Sequence, residues 1–167
     1  LAYRDGIFGE VQYIPIEEFF EKDKLIAKKA EEVLLIDREK GLDHYLMVRT
    51  NSKKNAVELE KLYKEITTLK LKRIDSSMSN SVIKKSIEDL KERKLDGIIC
   101  VDMLGEGFDF PNLKIAAIHE PHKSLANTLQ FIGRFARTNA KNIGVAKFIA
   151  MNDSELIIEN QALYTSD

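Results

Sequence analysis

Gln130, Arg134 and Arg137 are the side chains of this chain best spaced to grip an anion. On a helix turning about 100° per residue, Arg134 lies roughly 40° around the axis from Gln130, and Arg137 within about 20°. Ser124 is placed to cap such a helix, its hydroxyl accepting from a free first-turn N–H. Leu125, Leu129, Ile132 and Phe135 supply the apolar face that would anchor it. Two guanidiniums held together suit an anion with several oxygens, because each planar fork pairs with two of them. A nucleotide polyphosphate fits that description. Taken alone, the same pattern also describes an amphipathic helix with a solvated basic face.

Two other segments carry polar groups at the ends of apolar runs. Gly105 and Gly107 flank Glu106 in a loop that follows residues 97–101 and closes on Pro111. Glycine lets a ligand approach the backbone closely, although a tight turn held by glycine and proline is the plainer alternative. This Gly-x-Gly is not a dinucleotide fingerprint, since no third glycine follows at the required spacing. Earlier, Arg49-Thr50-Asn51 ends a strand-like run and precedes a helical pattern. Backbone N–H groups and short side chains at such a corner form a site for a nucleic-acid phosphate. Simple capping by Asn51 or Ser52 would account for the same residues. The small polar loop at residues 75–79 is a weaker version of that corner. His119 and His122 stand near Glu120, but His-x-x-His without further ligands is poor ground for zinc, so no metal site is expected and a connector is the better reading. His44 simply precedes a strand-like run.

The elements that must position these groups alternate regularly. Apolar strands are expected at residues 8–14, 45–49, 70–74, 97–101, 114–119 and 144–151. Helices are expected at 17–38, 52–66, 79–94, 124–136 and 153–163. Short apolar strands separated by helices predict an α/β fold with a parallel sheet covered by helices on both faces. Ligands in such sheets bind at loops on the carboxyl ends of the strands, which is where residues 49–52, 75–78 and 102–109 fall. At 167 residues the chain is comfortable for one domain with a full core. The opening Leu1, in place of Met, is expected of a piece of a longer protein. No apolar run approaches a membrane span, and the single cysteine, Cys100, cannot form an internal disulfide, so a reduced, cytoplasmic setting is expected. Net charge is −1, yet residues 121–152 contain no acidic residue while holding Lys123, Arg134, Arg137, Lys141 and Lys147. A basic end on a neutral chain accommodates phosphate, and charge alone does not decide the matter.

Gln-x-x-Gly-Arg-x-x-Arg at residues 130–137 resembles the last signature motif of superfamily two DEAD/DEAH-type helicases and related nucleic-acid translocases. Gly97-Ile98-Ile99-Cys100-Val101-Asp102-Met103-Leu104-Gly105-Glu106-Gly107-Phe108-Asp109-Phe110-Pro111 looks like the preceding motif of those families, with a texture near the restriction and repair branch. Tyr45-Leu46-Met47-Val48-Arg49-Thr50-Asn51-Ser52 is similar to the motif that opens their second motor domain. The resemblance implies a RecA-like second helicase domain over residues 41–167. Residues 1–40 would then be a strand-plus-helix segment that leads in from a preceding domain and packs on it. It implies that Arg137 and Arg134 reach the terminal phosphate of ATP, Arg137 as arginine finger. Gln130, Gly133, Gly107 and Asp109 would line the nucleotide, Asp109 toward the ribose. Arg49, Thr50, Asn51, Val101 and Asp102 would lie along the nucleic acid. Many relatives carry histidine where this chain has Gln130, and a hydroxyl where it has Val101, so a contact at 101 must come from backbone N–H groups.

Two parts of such an engine are absent. No Gly-x-x-x-x-Gly-Lys-Ser/Thr loop occurs, and no Asp-Glu-x-His follows a strand. In the family both belong to the first RecA-like domain, which would hold ATP and Mg2+. The chain by itself is therefore expected to be inactive, and its partners are that preceding domain of the same parent chain and a nucleic acid, DNA being favoured over RNA, with no membrane. The competing reading is a non-catalytic RecA-like module that binds nucleic acid or a partner.

Overall fold

Six parallel strands in the order β1-β6-β5-β2-β4-β3 form one sheet in the computed structural model, which describes residues 11–16, 21–75, 77–101, 110, 112–119 and 146–151. In chain order the elements are β1 (Val11–Ile16), α1 (Lys22–Glu39), β2 (Tyr45–Thr50), α2 (Lys53–Ile66), β3 (Leu71–Ile74), α3 (Asn80–Lys91), β4 (Gly97–Val101), β5 (Leu113–Ile118) and β6 (Ala146–Met151). The helices expected at 124–136 and 153–163 and the loop at 102–109 lie outside the described residues, as do the first residues of the strands expected at 8–14 and 144–151.

Side-chain alternation divides the core into two layers. Tyr45, Met47, Ile98, Cys100, Ala116, Ile118 and Phe148 face the side covered by Ile83 and Leu90 of α3. Leu46, Val48, Ile99, Ile115, Ala117 and Ile149 face the other side, beneath Ile26, Ala30 and Leu34 of α1 and Leu59 and Tyr63 of α2. Helices on both faces are what continuous apolar strands require, since neither side can be left to water. The central strands β2 and β5 are buried along their whole length.

Local signals explain the helix starts. Ser52 precedes α2 and its Oγ accepts from the Asn55 backbone N–H at 3.1 Å. Ser79 does the same for α3 with Val82. Each cap satisfies one of the orphan donors of a first turn. Gly97 opens β4 opposite Leu46, and a Cβ there would collide with the Leu46 carbonyl, so only glycine lets the two strands approach this closely.

One irregularity shifts the pattern. Tyr45 pairs with Leu113 but Leu46 pairs with Ile115, so β5 carries an extra residue, Lys114, at this point. The bulge puts Leu113 on the α3 side and Ile115 on the opposite side, although both are odd-numbered. Lys114 is 1 % exposed, and burial lowers its amine from the usual 10.5 to about 8. A second buried polar group joins the helix α1 to the sheet. Asp37 receives Lys147 Nζ of β6 at 2.6 Å and meets His44 Nδ1 at 2.9 Å.

Candidate functional site

The strand order creates a crevice. β2 and β5 are neighbours, but the chain leaves β2 toward β3 on one side and leaves β5 toward β6 on the other. Such a switch point, at the carboxyl ends of two adjacent strands, is where open α/β sheets bind ligands. Thr50, Val101 and Ile118 mark that edge, with Thr50 in register with Val101 and Arg49 in register with Ile118.

Arg49, Thr50, Asn51 and Val101 are thus brought together at one end of the sheet. Their burial differs. Arg49 is 3 % exposed and shares the α3 face with Met47 by strand alternation, while Thr50 is buried toward α1 and α2. Asn51 and Val101 are half-buried. What the corner offers to solvent is the first turn of α2, which contains no acidic residue and begins with exposed Lys53 and Lys54. A helix N-terminus carries partial positive charge, so lysines there leave an anion-attracting point. These two lysines were not singled out from the sequence, although their place directly after a cap residue was a usable signal. Asp102, Gly107, Asp109, Gln130, Gly133, Arg134 and Arg137 lie outside the described residues.

The loop after β3 is satisfied internally. Asp75 Oδ1 accepts from the Ser77 backbone N–H at 2.9 Å and from the Ser77 hydroxyl, and lies 3.9 Å from Lys53 Nζ. The Ser77 hydroxyl, then its N–H, hold the Asp75 carboxyl below the usual carboxylate range.

His119 is held in place by side chains of α1 and α2. It sits one residue past β5, 3 % exposed, with Nε2 at 2.7 Å from Tyr63 Oη and Nδ1 at 2.9 Å from Asp23 Oδ1. The hydrogen bond from His119, reinforced by Lys22, lowers the Asp23 carboxyl to about 2 despite partial burial. An ionised Asp23 only accepts, so Nδ1 carries a proton. In the neutral ring Nε2 then accepts from Tyr63, whose hydroxyl burial pushes well above its usual range and keeps protonated. A cavity of about 290 Å³ opens beside this cluster, lined by Asp23, Asn55, Glu58, Leu59, Leu62 and His119. Among the described residues no three His, Cys, Asp or Glu side chains converge to hold a metal, and no helix is long and apolar enough to cross a membrane.

A six-stranded parallel sheet wrapped by helices, with its switch point at β2 and β5, is the architecture of a RecA-like motor domain. Residues 27–139 match the model of the helicase conserved C-terminal domain, and the chain belongs to that family, the second motor domain of superfamily two helicases. It is similar to UvrABC system protein B of Helicobacter acinonychis (strain Sheeba), at 29% identity over 144 residues. That alignment takes in 83% of this chain and 21% of the relative, so the chain spans about a fifth of the length of the curated relatives it matches. This similarity agrees with the placement of the loop motif near the repair branch. In fold it is similar to Mss116p DEAD-box helicase domain 2 bound to an RNA duplex, with TM-score 0.62, 16% identity, 95% of this chain and 61% of that one covered. It is also similar to Mycobacterium smegmatis helicase Lhr bound to ssDNA and AMP-PNP, with TM-score 0.61, 17% identity and coverage of 96% and 22%.

Proposed function

We propose that this chain is the second motor domain of an ATP-dependent nucleic-acid helicase or translocase and has no ATPase activity of its own. In this reading a preceding RecA-like domain of the parent polypeptide holds ATP and Mg2+. Arg134 and Arg137 reach across the cleft to the phosphates, with Arg137 as arginine finger. Such a finger stabilises charge developing on the transferred phosphoryl and contributes roughly 10³–10⁵ in rate. Gln130 and Gly133 lie beside it, and Gly107 and Asp109 approach the nucleotide from the other loop.

The observation that carries this reading is the switch point. The corner at Arg49–Ser52 and the exit of β5, from which the chain runs on to Gln130, Arg134 and Arg137, stand side by side on one edge of the sheet. The corner offers an uncapped-by-acid helix start with Lys53 and Lys54, as a backbone phosphate requires. Because Arg49 is buried, phosphate contacts there fall to the N–H groups of residues 51–53 and to the lysines. Val101 lies beside them at the end of β4, and the reading assigns Asp102 to the same nucleic-acid path. DNA is favoured over RNA on the resemblance of the motif at residues 97–111 to the restriction and repair branch, and a cytoplasmic setting is part of the same proposal.

The test joins this chain to its native preceding segment and measures ATP turnover with and without single-stranded nucleic acid. Arg137→Ala is expected to abolish the stimulated rate while the isolated chain turns over no ATP above background. A joined protein whose rate is indifferent to Arg137→Ala refutes the finger. A joined protein with no turnover at all supports the non-catalytic binding module instead.

A further inference from the structure

Helix α1 has two faces with apolar residues. Ile26, Ala27, Ala30 and Leu34 form the one buried against the sheet. On the other side Leu25, Leu35 and Ile36 are 37 %, 44 % and 42 % exposed. Among the described residues these are the large apolar side chains left open to water. Leu25 and Ile36 fall within about 20° of one another around the helix axis, so they share a stripe. Lys29 and Glu32 stand between them on it, and Lys22 and Glu39 lie beyond its two ends. Lys22 and Lys29 are half-buried and the other four exposed. These six positions are three and four residues apart by turns, the spacing with which one helix forms a seam against another.

Charge along the stripe runs from basic to acidic. Lys29 meets Glu32 at 3.6 Å and, beside the stripe, Lys28 meets Glu31 at 3.8 Å. A lysine ahead of its glutamate is the weaker order within a helix, so the helix itself gains little from this arrangement. An antiparallel copy of the same helix gains more. In such a pair, each seam position faces one from the opposite half of its mate. With the two-fold axis between Ala30 and Glu31, Lys22 faces Glu39, Leu25 faces Ile36 and Lys29 faces Glu32, each twice. Every facing pair is then apolar with apolar or basic with acidic. Lys22 is already engaged with Asp23 and the His119 carbonyl, so the two inner layers carry the match. A parallel pair would instead set Lys29 on Lys29 and Glu32 on Glu32. The complementarity belongs to the stripe paired with itself, which singles out a second copy as its occupant.

We propose that the exposed stripe of α1 is a self-association surface, on which a second copy of this chain docks its own α1 antiparallel about a two-fold axis. The association is weak. One helix per copy gives an interface below the size of a stable dimer, and charged seam positions fix the register at a cost in affinity. Dissociation on the order of 10–100 µM is the expectation. Helix α1 leads from the carboxyl end of β1 to the amino end of β2, so it runs opposite to the strands. The sheets of the two copies therefore run antiparallel, and their corners at Arg49–Ser52 point in opposite directions. The surface stands apart from the motor function proposed above and does not depend on it.

The experiment uses the full parent polypeptide and reads its mass against concentration by sedimentation equilibrium. The unaltered protein is expected to pass from monomer to dimer, and Leu25→Ser with Ile36→Ser to weaken that step at least about tenfold. Lys29→Glu alone, or Glu32→Lys alone, sets like charges across the axis twice and should weaken it about fivefold. Lys29→Glu and Glu32→Lys combined in one chain restore the facing charges, as does an equimolar mixture of the two single variants. Both should recover the original affinity to within about twofold. Loss in the single variants without that recovery overturns the antiparallel match. A dimer indifferent to Leu25→Ser with Ile36→Ser overturns the surface itself. So does a parent that stays monomeric at about tenfold above the expected dissociation constant. If the melting temperature of that monomer falls in the double serine variant, the stripe belongs to another segment of the same polypeptide and the second copy is excluded.

Discussion

Asp37 of α1 and Lys147 of β6 are joined at 2.6 Å, across 110 residues of sequence, with the carboxylate fully buried and shared with His44. The pair pins the helix to the strand that borders β1 and β5. Removing one member of such a pair leaves the other charge without its counter-ion in a poorly solvated place. Asp37→Ala is therefore expected to destabilise the domain by about 3–5 kcal/mol, measured by urea unfolding. Lys147→Met should cost at least as much, because it leaves the fully buried Asp37 carboxylate with only His44 beside it. Equal and small losses in both variants would show that the pair is not buried as described.

Asp23 makes acid sensitivity predictable in sign. Its carboxyl lies at about 2 in the fold against 3.8 as its ordinary value, chiefly through the hydrogen bond from His119. A depressed carboxylate contributes stability that is present above pH 4 and is lost as pH falls from about 4 to 2. The advantage of the parent over Asp23→Asn in melting temperature should accordingly shrink across that window. Half of the carboxylate faces solvent, so the difference is modest and falls further with salt. A gap between the two proteins that stays constant from pH 6 to pH 2 would contradict this account.

Lys114 works in the opposite sense. Burial lowers its amine to about 8 from 10.5, so between these values the unfolded chain binds more protons than the folded one. Stability should then rise with pH across about 8 to 10.5, other groups being equal. Lys114→Met lacks this amine, and its melting temperature plotted against the parent's over the same range should show that contribution missing. Parallel curves for the two proteins would place the amine in solvent.

Lys53 and Lys54 predict a salt dependence. Each that neutralises one phosphate should lower the slope of log affinity against log salt by about 0.7 for a single strand when replaced by alanine. Fluorescence anisotropy with a labelled oligonucleotide over a salt series measures it. Ser52→Ala is the companion, expected to cost about 1 kcal/mol of stability through loss of the cap, with the slope kept. If the slope responds to neither lysine, the nucleic acid does not run past this corner.

Much of the architecture was legible beforehand for a local reason. Short apolar runs at residues 45–49 and 97–101 became β2 and β4, and Ser52 and Ser79 lead their helices as caps. Strand alternation, helix periodicity and capping are decided by residues a few places apart, and a reader of the chain sees those residues together. The three signature motifs were legible too, because they are contiguous. His119 was not. Its partners Tyr63 and Asp23 stand 56 and 96 residues away, and nothing near residue 119 announces them.

The burial of Arg49 and Lys114 was equally hidden. Both look like solvent-facing cations in the chain, and both are enclosed because the sheet order puts their strands at its centre, with a bulge turning Lys114 inward. The linear order of residues thus determined the family, the elements and the candidate arginines. Strand order, the crevice between β2 and β5, and the polar clusters around His119 and Asp37 were decided only on folding. Those depend on which distant segments share one close-packed core, and that choice minimises exposed apolar area and unmet hydrogen bonds over the whole chain at once.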